Sequence, residues 1–123
     1  MSASDPARLR IHHLALRVSD VPRAVAFYAG LLGLPELRRL EEKGAVRAVW
    51  LRAGETILML ESGLRGAGPA EGSGHLLAFA VEDLAAWEAR LAAAGVAVDD
   101  RTPYTLYVRD PDGHRVGLSV YPG

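Results

Sequence analysis

The sequence predicts an α+β fold of two βαβββ modules, whose curled mixed sheets form a trough. The first observation is a repeated strand-to-helix unit: residues 11–20 alternate in hydrophobicity and end in Ser19-Asp20, and residues 75–83 repeat that order. The second is that turn-separated strand patterns follow each unit. We therefore expect one domain over residues 1–123, with module one at about 10–61, a glycine-rich linker at 62–74 and module two at about 75–121.

Composition removes several function classes. The formal net charge is −1 and there is no basic block, so nothing favours nucleic acid as a partner. No apolar run approaches the ~20 residues of a membrane span, and the first nine residues lack the apolar core of a signal peptide. The absence of cysteine excludes disulfides, thiolate ligands and cysteine nucleophiles. We expect a cytoplasmic protein with neither a nucleic-acid nor a membrane partner.

Module one begins with a strand over residues 10–18, by alternation. Ser19-Asp20 predicts the cap of a helix that Gly33 ends. A weak edge strand is expected at 36–42, and strands at 45–52 and 56–61 form a hairpin around Gly54-Glu55. The residues expected to face the core are Leu14, Leu16 and Val18 in the strand and Val21, Val25, Tyr28 and Leu32 in the helix.

The hairpin has two faces. In the simplest register its core face carries Val49, Leu51, Leu58 and Leu60. The opposite face carries Trp50, Arg52, Ile57, Met59 and Glu61. No helix is predicted over that face, so it is a candidate ligand surface or subunit interface.

Module two repeats the order. A strand is expected at 75–81, a helix capped by Asp83, a short strand within 96–101, and a hairpin of 105–109 and 115–121 around the turn residues 110–113. The expected helix face is Leu84, Trp87, Leu91 and Ala94.

Four segments in this order resemble the vicinal oxygen chelate superfamily, which includes glyoxalase I, extradiol dioxygenases and bleomycin-resistance proteins. They are His13-Leu-Ala-Leu-Arg-Val-Ser-Asp, Ala26-Phe27-Tyr28 before Leu32-Gly33-Leu34, Leu77-Ala78-Phe79-Ala80-Val81-Glu82-Asp83-Leu84, and Tyr107-Val-Arg-Asp-Pro-Asp-Gly-His114. The resemblance implies two sheets lining a trough, often completed by a second subunit. It also implies, in many members, a divalent metal that binds neighbouring oxygens of a substrate.

The resemblance further identifies where metal ligands would lie. The first position, a histidine in the first strand, is kept as His13. The others correspond to Met59, Leu76 and Gly117, so one position of four carries a usual ligand. We therefore expect no cofactor. The alternative is a divalent metal bound by a shifted ligand set, His13, Glu61 and His75. A bulge near Gly74 would be needed to turn the His75 side chain to the required face.

Three functions stay open at this point. The first is metal-independent binding of a small, anionic or aromatic organic molecule. The second is a metal-dependent lyase, isomerase or dioxygenase with the shifted set. The third is an assembly role for the open sheet face; in every case we expect a homodimer. The residues expected to bind substrate are His13, Arg17, Trp50, Arg52, Met59, Glu61 and Tyr107, while Arg115 shares their face by parity.

Overall fold

The computed structural model describes residues 10–64 and 74–122 of the chain. It divides into two compact units, Met1–Leu64 and Arg65–Gly123. Each unit holds one four-stranded mixed sheet, which confirms the α+β class and the repeated βαβββ order. Most of the predicted linker, residues 65–73, lies outside the described residues. No helix in the described ranges is long and apolar enough to cross a membrane.

The sheet of the first unit has the strand order β1-β4-β3-β2, with β1 parallel to β4 and the other pairs antiparallel. Its strands are β1 (His13–Arg17), β2 (Glu36–Glu42), β3 (Ala45–Ala53) and β4 (Thr56–Glu61). The predicted two-residue turn is confirmed, because Ala53 pairs with Thr56 and Gly54 has a φ of 63°. A positive φ of this kind favours glycine.

Helix α1 (Val21–Val25) continues directly into a π-helix at Ala26–Leu31. The π-helix is visible in the bond from the Leu32 N–H to the Phe27 carbonyl, which spans five residues. The predicted face, Val21, Val25, Tyr28 and Leu32, is therefore partly wrong. The π-helix buries two adjacent aromatic residues, and the buried residues of the helical segment are Val21, Ala24, Phe27 and Tyr28.

The predicted core face of the hairpin is confirmed. It packs under α1, which contacts β3 and β4, and its residues Val49, Leu51, Leu58 and Leu60 are all at most 2% exposed. Leu14 was wrongly assigned to the core, since 40% of it is exposed. It lies in an edge strand, at the end away from the turn into α1.

The second unit repeats this topology, with the order β5-β8-β7-β6 and β5 parallel to β8. Its elements are β5 (Leu77–Ala80), α2 (Leu84–Ala93), β6 (Asp100–Arg101), β7 (Thr105–Arg109) and β8 (Arg115–Ser119). Leu91 is the buried residue of α2. Ala94, predicted to face the core, is the exposed C-cap residue instead, because the helix ends one residue earlier.

The two helices begin in nearly the same way. Asp20 and Asp83 have φ/ψ of −143°/103° and −143°/104°, and each carboxylate accepts a hydrogen bond of 3.1 Å from the N–H three residues on. An N-cap of this kind contributes about 1 kcal/mol. The internal repeat is therefore present in backbone geometry as well as in sequence.

Candidate ligand-binding faces

The face of the first sheet opposite α1 is organised in three cross-strand rows. Strand register gives their members, and rows two residues apart are separated by ~7 Å along the strands. The first row is His13, Ile57 and Arg52; the second is Ala15, Met59, Trp50 and Arg38; the third is Arg17, Glu61, Ala48 and Leu40. The six predicted site residues of this unit therefore lie on one face, which we call the open face of unit one.

Trp50 is the centre of this face. Its partners in the middle row are Met59 on one side and Arg38 on the other, and the Arg38 guanidinium carbon lies 5.3 Å from the centroid of the indole. The indole Nε1 is buried, and among the described residues nothing accepts a hydrogen bond from it. A buried donor left without a partner costs about 1–3 kcal/mol. The indole at the centre of the face thus has an arginine over its ring and an N–H without a hydrogen-bond acceptor among the described residues.

His13 lies at the exposed start of β1. Its Nδ1 is 2.8 Å from Nδ1 of His12, so one of the two rings donates and the other accepts. The hydrogen bond joins His13 to His12, a neighbour that was not among the predicted site residues.

Arg17 and Glu61 form the far row and have different neighbours. The Arg17 Nε donates to the Leu64 carbonyl at 3.1 Å, and its Nη2 donates to the same oxygen. Glu61 is opposite Arg17 in the register. The hydrogen bond from Arg47 to Glu42 raises the pKa of Arg47, and the charge of Glu61 adds a smaller contribution. Arg17 is thus committed in part to the backbone that follows β4.

The second sheet has an equivalent open face. Its middle row is Ala78, Gly117, Tyr107 and Asp100. The Arg115 guanidinium carbon lies 4.2 Å from the centroid of the Tyr107 ring, and its Nη2 is 3.5 Å from the Asp100 carboxylate. The guanidinium of Arg115 therefore contacts both the Tyr107 ring and the carboxylate of Asp100.

The registers of the two sheets identify equivalent positions. Ala15 pairs with Met59, which pairs with Trp50; Ala78 pairs with Gly117, which pairs with Tyr107. Trp50 and Tyr107 are thus repeats of one another, each with an arginine over the ring. Both units present an arginine-covered aromatic ring at the centre of the open face.

The four positions that the resemblance associates with a metal do not form a suitable ligand set. Gly117 has no side chain that could bind a metal, and a Cβ added there would meet Ala78 Cβ and Thr105 Cγ2 at 3.4 Å and Leu76 Cδ1 at 3.6 Å. Met59 offers a thioether, which a hard or borderline divalent ion does not favour. His13 is the one usual ligand among the four, whereas such sites need at least three.

Within the first unit, the strand register does not favour the shifted metal set. Glu61 lies two rows from His13, roughly 13 Å along the strands, whereas ligands of one ion converge on a single point. His75, the third member, has its ring centroid 5.9 Å from that of His114. No cluster of three or more His, Asp or Glu suited to a metal occurs within residues 10–64 and 74–122.

Arg38 is the residue that sequence reasoning missed. Its strand, β2, has register shifts on either side of the 38–40 segment, at Glu36/Arg38 and Leu40/Glu41. Each irregularity changes which side chains reach the open face, so alternation alone assigns no face to this strand. Arg38 is one of several charged residues in a polar edge strand, so its residue type did not mark it as part of a site either.

The chain belongs to the glyoxalase/bleomycin resistance protein/dioxygenase superfamily, whose family model matches residues 10–118. It is similar to the crystal structure of lactoylglutathione lyase from Agrobacterium tumefaciens, with 28% identity over 94% of this chain and 95% of that one and a TM-score of 0.69. It is also similar to TnmS3, an antibiotic-binding protein from Streptomyces sp. CB03234, with 28% identity over 94% and 98% of the two chains and a TM-score of 0.74. No curated protein matched the sequence.

Proposed function

We propose that this protein is a metal-independent member of its superfamily that binds a small organic molecule on the open faces of its sheets. The observation that carries the proposal is the middle row of unit one. There a large aromatic ring, a thioether and a guanidinium lie side by side in register. Small-molecule sites typically combine such apolar surface with a few polar groups.

The ligand chemistry follows from the same groups. Trp50 and Tyr107 offer ring faces for an aromatic or apolar body. Arg38, Arg52 and Arg115 supply positive charge on the same faces, which favours a ligand with an anionic or electron-rich group. The likeness to an antibiotic-binding protein supports binding, rather than turnover, as the role.

A metal-dependent lyase, isomerase or dioxygenase is the second candidate. His13, at the first metal position of the resemblance, favours it, as does the likeness to a lactoylglutathione lyase. The missing side chain at Gly117 and the thioether of Met59 argue against it.

Metal analysis separates these two candidates. Protein purified without chelator is expected to contain far less than one divalent ion per chain, because one imidazole among four positions cannot retain it. His13→Ala is then expected to leave the metal content unchanged, with His114→Ala as a matched control. One bound divalent ion per chain, lost in His13→Ala and kept in His114→Ala, would overturn the metal-independent proposal.

We also propose that the chain is cytoplasmic and forms a homodimer. Large apolar side chains are exposed in both units, among them Leu14 and Leu76 at 40% and 41% and Tyr121 at 69%. A second copy covering some of them would remove apolar area from water. Light scattering at micromolar concentration is expected to give twice the 13.2 kDa chain mass, and a mass near 13.2 kDa would contradict the dimer. Cell fractionation checks the location.

A further inference from the structure

The outer edge of the first sheet is a seven-residue strand, β2, whose second side pairs with no strand of residues 10–64 and 74–122. The corresponding edge strand of the second sheet, β6, has two residues. A short edge offers few backbone groups to another chain, whereas a long edge is a template for strand pairing unless its side chains prevent it. The arrangement of the charges on β2 therefore decides whether this edge can pair.

The stretch 38–42 of β2 is a regular strand. The first register shift against β3 leaves Leu37 of β2 without an opposite residue, so it lies before this stretch. The second shift leaves Arg47 of β3 without one, so there the extra residue belongs to the neighbouring strand. Side chains at positions 38, 40 and 42 therefore share one face of the sheet, and those at 39 and 41 share the other.

The charges of this stretch are complementary to themselves. Two copies that pair antiparallel around a two-fold axis keep like faces together, so the axis passes through one residue of each strand. With the axis at Leu40, Arg38 lies opposite Glu42 of the second copy on one face. On the other face Arg39 lies opposite Glu41, and the two Leu40 side chains meet.

Every other register of residues 38–42 opposes like charges. An axis at position 38 or 39 places two arginines directly opposite each other, and an axis at 41 or 42 does the same with two glutamates. Opposite charges across a strand pair stabilise it, and like charges destabilise it. The sequence of β2 thus selects one antiparallel register out of five.

We infer that β2 pairs antiparallel with β2 of a second copy of this chain, around a two-fold axis at Leu40. The ion pairs that Arg39 and Glu42 make within the chain, with Glu36 and Arg47, have side chains 35–54% exposed and hold those residues weakly. The pairing joins two four-stranded sheets into one. This assignment rests on the proposed homodimer and names the surface that forms it.

Charge reversal tests the register. Arg39→Glu alone places glutamates opposite each other, and Glu41→Arg alone places arginines opposite each other. Sedimentation is expected to show that each variant raises the dissociation constant of the dimer by about tenfold or more. An equal mixture of the two variants is expected to restore the dimer, because unlike charges then meet at both sites. Arg23→Glu and Glu55→Arg, at exposed positions outside β2, are the matched controls and leave the dimer intact.

A single cysteine tests the position of the axis, because the chain has no cysteine of its own. Opposite residues of an antiparallel pair have Cα atoms about 4.5–5.5 Å apart, within the range of a disulfide. Leu40→Cys is therefore expected to give a disulfide-linked dimer on mild oxidation. The matched control is Leu37→Cys, in the same strand and 42% exposed as leucine. Its two copies would lie roughly 20 Å apart in this register and stay unlinked.

The outcomes separate the edge from the homodimer. If the wild-type protein is a dimer that neither charge reversal dissociates, the edge is wrong and the homodimer stands. The edge is equally wrong if Leu37→Cys cross-links as readily as Leu40→Cys, or if the mixture of the two variants stays monomeric. If the wild-type protein is a monomer at micromolar concentration, the inference and the proposed homodimer both fail, and β2 is an edge that its charges keep free.

Discussion

Gly117 shows at the scale of one residue how the second sheet differs from the first. It occupies the position that Met59 has in unit one, between Ala78 and Tyr107 in the middle row. Its φ is not in the left-handed region, and an added Cβ would make ordinary van der Waals contacts at 3.4–3.6 Å. Backbone conformation therefore does not require a glycine there.

This gives a direct prediction for Gly117→Ala. The substitution is expected to raise the free energy of unfolding by about 0.4–1 kcal/mol, because alanine lowers the entropy of the unfolded chain and fits the strand. Gly113→Ala is the control; with its φ of 86° it is expected to lose about 1–2 kcal/mol. Urea unfolding measures both. A loss of more than 1 kcal/mol in Gly117→Ala would show that something packs closely on that backbone.

The candidate site was predictable from the sequence where strands are regular. Alternation placed Trp50, Met59 and Arg52 on one face, and the register of β3 and β4 confirms that grouping. The arginine partner of Trp50 was not predictable, because irregular pairing in β2 decides it. The hydrogen bond between the two adjacent histidines depends on side-chain rotamers, which no sequence pattern encodes.

At the scale of elements, sequence patterns located strands better than they described the first helix. The edge strand at 36–42 and the strand at 56–61 have the predicted bounds. Both helix caps were predictable because a short acidic side chain before a helix has a local physical role. The π-helix was not, since no local sequence signal marks it; its two adjacent aromatic residues, Phe27 and Tyr28, are both buried, with ring centroids 4.9 Å apart.

The strand irregularities and the π-helix have a shared consequence for the site. Each adds a residue to a regular repeat and so changes which side chains face the sheet or the solvent. In β2 this change brings Arg38 over Trp50. In the helix it turns Phe27 toward the core. The side chains of the open face thus depend in part on departures from regular periodicity, which are visible in the structure and not in the sequence pattern.

At the scale of the whole molecule, the chain repeats one βαβββ unit. Each copy has an aromatic ring in the middle row of its open face with an arginine over it, which comes from β2 in one copy and from β8 in the other. The family match over residues 10–118 accounts for the fold. Because sites, and not scaffolds, carry function, the fold alone does not decide whether a member of the superfamily uses a metal. Binding without a metal is the central claim of the function proposed above.

Ligand-induced thermal stabilisation in the presence of excess EDTA tests that claim most directly. A series of planar aromatic acids is expected to raise the melting temperature saturably, because a ligand that binds the native state stabilises it by RT ln(1 + [L]/Kd). The rise is expected to be the same with and without EDTA and to be lost in Trp50→Leu. No rise with any acid in the series, or a rise that EDTA abolishes and added divalent metal restores, would contradict the account.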